Sequence, residues 1–310
     1  MAPDDADRDL GARALAAGEL AVCVLAGGMA TRMGGVVKAL VEVEPGRTFL
    51  DLRLAERAHV AAEHGVAPPL WLMTSEPTEG PIAAALATHP QADDAVATFE
   101  QLVSLRLDPD GGLFLTDDQP SVYATGHGDL PDALQAAGLL DRFIAAGGRY
   151  VWICNLDNVG ATVDPTILGG HIASGAELTV ELVDKRGGDQ GGGPVLHEGE
   201  PMICEHFRLP RDFAADSVTV FNTNTFIVNA EALRRVAGPD GMQWTFVEVH
   251  KDVGGRKAVQ FERLLGEVTT ALRPRLLRVS RDEPHSRVVP VKSNDDLPAA
   301  RAALARMPWR

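Results

Sequence analysis

"AVCVLAGGMATRMGGVVKAL", residues 21–40, decides the reading of this chain. An apolar run of strand length enters Gly27-Gly28, where the lack of a Cβ lets the backbone turn sharply and approach a ligand closely. Arg32 and Lys38 follow in the same short loop. Walker A requires G-x-x-x-x-G-K-[ST], and Gly34 is followed by Gly35 and Val36; the dinucleotide pattern G-x-G-x-x-G fails as well. The loop is a candidate anion cradle of another type.

Outward from it the text alternates. "LAVCVLA" (20–26), "LWLMTS" (70–75), "YVWICNL" (150–156) and "LTVELV" (178–183) have strand length, and stretches such as 51–64 and 130–146 have helical spacing. Further on, 218–228 reads as a strand or strand pair, 261–272 as a helix and 276–281 as a strand. This alternation predicts an α/β, Rossmann-like three-layer fold around a mixed, mostly parallel sheet, with insertions at the carboxyl ends of strands. Residues 1–18 read as a loosely docked, part-helical N-terminal arm, 19–310 as one domain, and the glycine-rich 185–195 as a mobile loop or hairpin tip.

A length of 310 residues with 45% hydrophobic content supports a sizeable core. The formal charge of -14 argues against nucleic acid and anionic membrane surfaces as partners, which require a basic face. No apolar run reaches the roughly 20 residues of a bilayer span. Cys23, Cys154 and Cys204 form no close pair, so the expectation is a soluble, cytoplasmic protein without disulfides or zinc.

Several motifs carry a resemblance. "ATGHGDLPDALQAAGLLDRFIAAGGRYVWICNLDNVGATVDPTIL" (124–168), "FNTNTFIV" (221–228), "KAVQFERLLGEVTTAL" (257–272) and "SRVVPVKSNDDL" (286–297) resemble, in the same order, segments of UTP–glucose-1-phosphate uridylyltransferases. The glycine loop is similar to the signature loop of sugar-1-phosphate nucleotidyltransferases. The likeness runs from about residue 20 to about residue 297. It implies a nucleotidyltransferase (GT-A-like) fold and an Mg²⁺-assisted attack of glucose 1-phosphate on the α-phosphorus of UTP, giving UDP-glucose and pyrophosphate.

Two anionic substrates repel each other, so such a site needs cations and alignment more than covalent chemistry. The resemblance implies Arg32, Lys38 and Lys292 as the phosphate-neutralising, catalytic cations. Asp157, placed after an apolar strand, is the Mg²⁺ candidate, against the alternative of a cap for the next element. Gly27, Gly28, Gln101, Gly126 and His127 are the nucleotide-binding candidates. Asn155, Glu205, Asn222, Asn224 and Lys251 are those for the sugar, the asparagines offering donors and acceptors to hydroxyls. Asp129 and Asp164 read as caps or hydrogen-bonding residues.

The match has breaks. The family's loop is longer, with an extra lysine and a proline where this chain has "GGVVKAL", and Arg32 is similar to bacterial hexose-1-phosphate nucleotidyltransferases. Thr225 replaces an asparagine. The chain reads as a short bacterial form without the C-terminal β-helix of larger relatives, so no oligomeric state carries over. Two other readings stay open: the same chemistry on another sugar or cyclitol 1-phosphate or another nucleoside triphosphate, and a non-catalytic nucleotide-sugar-binding regulator.

Overall fold

The computed structural model describes residues 4–187, 189, 191–214 and 217–309. A seven-stranded sheet organises them. Its strands are β1 (Leu20–Leu25), β2 (Leu70–Thr74), β3 (Val96–Glu100), β4 (Tyr150–Asn155), β5 (Leu178–Asp184), β6 (Val220–Asn229) and β7 (Pro274–Arg278), in the order β7-β5-β6-β4-β1-β2-β3. β6 runs antiparallel to both neighbours and every other pairing is parallel, as the mixed-sheet expectation requires.

Side-chain alternation divides the core. Leu20, Val22 and Val24 of β1, with Tyr150, Trp152 and Cys154 of β4, face one apolar cluster; Ala21, Cys23, Val151 and Ile153 face the other. Both faces of these central strands are therefore apolar, which explains their unbroken hydrophobic runs. The first cluster is covered by α1 (Asp5–Ala16), α2 (Phe49–His64), α6 (Pro165–Ser174) and α8 (Leu297–Leu304), with Ile82 of α3 (Glu76–Thr88). The second lies under α4 (Leu130–Ala136), α5 (Leu139–Ala145) and α7 (Ala230–Val236). This is the three-layer arrangement.

Local chemistry sets the boundaries. α2 starts at a capping box, in which Thr48 and Asp51 satisfy each other's backbone N–H, and ends at Gly65 with φ 81°. The helix read over 130–146 is two helices, because Gly138 adopts φ 64° between them. The span 218–228 holds one strand, β6, which begins at Val220.

The helix read over 261–272 is a correction. Residues 256–262 form a hairpin with 247–253, and a 3-10 helix covers 265–270. Tertiary bonds win over helical propensity here: the Phe261 N–H donates to the Tyr123 hydroxyl at 2.6 Å, and Arg263 turns inward. The loosely docked arm is also corrected. α1 lies backbone to backbone on α6, so that a Cβ on Gly169 would fall 1.6 Å from the Asp7 carbonyl oxygen.

Candidate active site

Strand order reverses on either side of β1, and ligand clefts in open α/β sheets form at the carboxyl ends of strands near such a point. Here Gly27 and Gly28 leave β1, and Asp157 follows β4. A cleft of about 570 Å³ opens beside them. Its walls include Arg32, His127, Asn155, Asp157, Glu205, Asn222, Asn224 and Lys292. Chain positions 260 residues apart thus meet in one space.

Lys38 joins the group through Asp157, its Nζ standing 2.5 Å from Oδ2. The Asp157 carbonyl accepts from the Val291 N–H at 3.0 Å, next to Lys292. Asn158 extends this lacing: its side chain donates to the Arg287 carbonyl and accepts from the Gly160 and Val289 amides. The C-terminal segment is therefore strapped onto the loop after β4.

Among the nucleotide-binding candidates, the Gln101 Oε1 lies 2.7 Å from where a Cβ on Gly27 would stand, so any side chain there would displace the Gln101 amide. Gly28 faces open space. Gly126, with φ 100°, packs against the Arg263 carbonyl, as does Gly128. This close approach anchors the His127 turn: the Gly128 N–H donates to Arg263 O, and the Leu265 N–H donates to His127 Nδ1 at 2.9 Å. Burial pushes the His127 pKa down to about 4. The ring is neutral at pH 7, with Nδ1 an acceptor and Nε2 carrying the proton.

The sugar candidates are aimed by a β-bulge. Val180 pairs with Phe226 and Leu182 with Asn222, which leaves Glu181 opposite residues 223–225. Asn224 takes φ 60°, a conformation asparagine tolerates, and its Nδ2 donates to Asn155 Oδ1 at 2.8 Å. Glu205 contributes a half-buried carboxyl whose pKa is raised by burial.

Lys251 does not line the cleft. It sits on the 247–262 hairpin, 46% exposed, with Nζ 3.5 Å from Glu262. Asp129 and Asp164 take their expected roles. Asp129 accepts from Thr125 and Arg263, and Asp164 caps α6. Of the loop 185–195, Gly188 and Gln190 lie outside the described residues; Asp189 pairs with Arg281 on the cleft wall, and the Arg281 guanidinium stands 5.2 Å over the Phe221 ring. Sequence reading missed this pair, Asn158 and Arg53, whose partners are remote in the chain. Among the described residues, no three His, Cys, Asp or Glu side chains are grouped to hold a metal, and no helix is long and apolar enough to cross a membrane.

Comparison with known proteins agrees with this architecture. A family model described as UTP--glucose-1-phosphate uridylyltransferase matches residues 6–307. The UTP--glucose-1-phosphate uridylyltransferase of Astragalus penduliflorus is 31% identical over 290 residues, 90% of this chain and 61% of that protein. That of Saccharomyces cerevisiae is 31% identical over 304 residues, 93% of this chain and 60% of that one. The chain thus spans about three-fifths of the length of these curated relatives. A UDP-glucose phosphorylase from Trypanosoma brucei superposes with a TM-score of 0.80 at 25% identity, covering 92% of this chain and 65% of its own. A UDP-glucose pyrophosphorylase from Leishmania major, in complex with UDP-glucose, gives 0.79 at 23% identity over 92% and 66%, a likeness of fold.

Proposed function

Because the chain belongs to the UTP–glucose-1-phosphate uridylyltransferase family, we propose that its cleft joins UTP and glucose 1-phosphate into UDP-glucose with release of pyrophosphate. The observation that carries this reading is the convergence of Arg32, Lys38, Asp157 and Lys292 on one space from opposite ends of the chain. A phosphate oxygen of the sugar 1-phosphate forms the new bond to the α-phosphorus of UTP, the bond to the β-phosphate bridging oxygen breaks, and pyrophosphate leaves. No covalent enzyme intermediate is required.

The residues divide the work by chemistry. Arg32 offers a planar fork to two phosphate oxygens, and Lys38, held beside Asp157, and Lys292 act as point charges. Together they offset repulsion between the substrates and the charge developing on the leaving group. Neutral His127 donates its Nε2–H to a phosphate or ribose oxygen. Gly27, Gly28, Gln101 and Gly126 receive the nucleotide, while Asn155, Asn222, Asn224 and Glu205 meet the sugar hydroxyls.

The donor set also fits Mg²⁺, which takes one or two carboxylates and otherwise uses substrate phosphates and water. A single carboxylate, Asp157, is the candidate ligand. When bound, the ion supplies further neutralisation of phosphate charge.

A second reading keeps the reaction but takes another sugar or cyclitol 1-phosphate or another nucleoside triphosphate, since the loop after Gly28 and Thr225 depart from the family's pattern. One assay separates the two. Pyrophosphate release is measured with Mg²⁺ for UTP, dTTP, CTP, ATP and GTP against glucose, galactose, N-acetylglucosamine and inositol 1-phosphates. Dominance of UTP with glucose 1-phosphate is the expected outcome. Turnover confined to another pair replaces the substrate, and silence throughout refutes the catalytic reading.

A further inference from the structure

Arg53 lies on α2, outside the cleft, on a helix whose inner face is otherwise built of Phe49, Leu50, Leu52, Leu54 and Val60. It is 5% exposed. Burying a guanidinium carries a desolvation cost that an apolar residue at this position would avoid. Its hydrogen bonds show what the charge does there.

Nη2 donates to the Asn155 carbonyl at 3.1 Å and the Asn158 carbonyl at 2.8 Å, and Nη1 donates to the Ala161 carbonyl at 3.0 Å. These three acceptors bracket Asp157. Glu56, one turn further along α2, fixes the guanidinium through a 2.8 Å bond to Nη1, and its other oxygen accepts from the Val163 N–H at 2.7 Å. The loop from 155 to 163 is thus pinned to one face of α2 at four backbone points. Lys38 meets the same loop through the Asp157 carboxylate, and the Val291 N–H, one residue before Lys292, donates to the Asp157 carbonyl.

We infer that Arg53 is a positioning residue for the transfer reaction: its fork fixes the backbone on either side of Asp157 and so sets where that carboxylate stands relative to Lys38 and Lys292. This rests on the reaction proposed above. The argument is geometric. A loop held only by the 287–292 strap keeps one set of anchors, whereas the Arg53 and Glu56 bonds fix four further backbone points on both sides of Asp157 in sequence. Lysine cannot replace arginine, because a compact ammonium does not span carbonyls spread over seven residues of backbone.

The test is a double-mutant cycle with a structural control. Arg53→Lys is expected to lower kcat by about 10²-fold, the scale of a misplacement near 1 Å, while KM for either substrate changes by less than about threefold. In an Asp157→Asn background the same substitution is expected to cost less than about threefold, since the group it positions has already been removed. Equal losses in both backgrounds, or an unchanged kcat in Arg53→Lys, would overturn the inference. Amide hydrogen exchange supplies the control. Protection of the 158–163 amides should fall in Arg53→Lys while β1, β4 and the rest of α2 retain theirs; unchanged exchange there refutes the positioning role. If the unmodified protein turns over no substrate pair, the reaction reading fails and the exchange result alone decides whether Arg53 holds the loop.

Discussion

Arg263→Met removes the cation that organises the turn carrying His127. Its Nε and Nη2 donate to Asp129 Oδ1 at 2.8 and 2.6 Å, and Nη1 donates to Asp132 Oδ2 at 2.6 Å. Asp129 is fully buried, and burial already raises its carboxyl pKa despite the bonds from Thr125 and Arg263. Without the guanidinium, a fully buried carboxylate is left with only the Thr125 hydroxyl and the Leu102 backbone as hydrogen-bond partners. Removing one member of a buried pair costs about 3–5 kcal/mol, a large share of the roughly 5–15 kcal/mol of a typical domain.

The pH dependence has a definite sign. A carboxyl whose folded-state pKa is raised binds more protons in the folded than in the unfolded chain, so its penalty grows as pH rises through that pKa. The deficit of Arg263→Met against the unmodified protein should therefore shrink between pH 7 and pH 5. Urea unfolding at both values measures it. A deficit below about 1 kcal/mol at pH 7, or one that grows on acidification, refutes the reasoning. Asp129→Asn in the Arg263→Met background should recover part of the loss, because it removes the stranded charge.

Asp157→Asn should lower turnover by about 10²-fold, measured as pyrophosphate release, since a charge-stabilising group is lost and Lys38 is left without its partner. His171 bonds Thr179 and Asn229, and burial pushes its pKa down to about 4 from 6.5, so stability should fall as pH drops through that window, by about 3 kcal/mol at its lower end. His171→Gln should flatten urea midpoints over that range, and an unchanged slope would count against the neutral-ring assignment. Gly169→Ala would drive its methyl into the Asp7 carbonyl; a loss of about 1–3 kcal/mol with new proteolysis in α1 is expected, and a stable, protease-resistant variant would show that the helices can separate at no cost.

The parts of the site legible in the sequence are those whose signal is local. Gly27-Gly28 after an apolar run, and Asp157 after another, mark strand ends by composition alone, and parallel strands buried on both faces make those runs continuous. Arg53 gave no such signal. It occupies a stretch with helical spacing, where an arginine is ordinarily a solvated residue, and its acceptors lie more than a hundred residues onward. The misread 261–272 has a similar cause. "FERLLGEVTTAL" has helical residues, but Phe261 and Arg263 are claimed by Tyr123 and Asp129. Lys251 is a sugar-binding candidate from the resemblance alone; on its hairpin the ammonium pairs with Glu262, a contact between strands that no local pattern announces.

The strap of residues 287–292 across 157–160 makes a late-synthesised part of the chain finish both the core and the cleft. All seven strands are in hand once β7 ends at Arg278, while the Val291 amide and Lys292 emerge later, by roughly a second at ribosomal speeds. In that interval the growing chain has every strand of its sheet but only half of the clasp around Asp157. A chain halted there would lack both Lys292 at the cleft and the buried Val289, Val291 and α8 side chains that close the first apolar cluster, so the same late segment finishes the core and the cleft together.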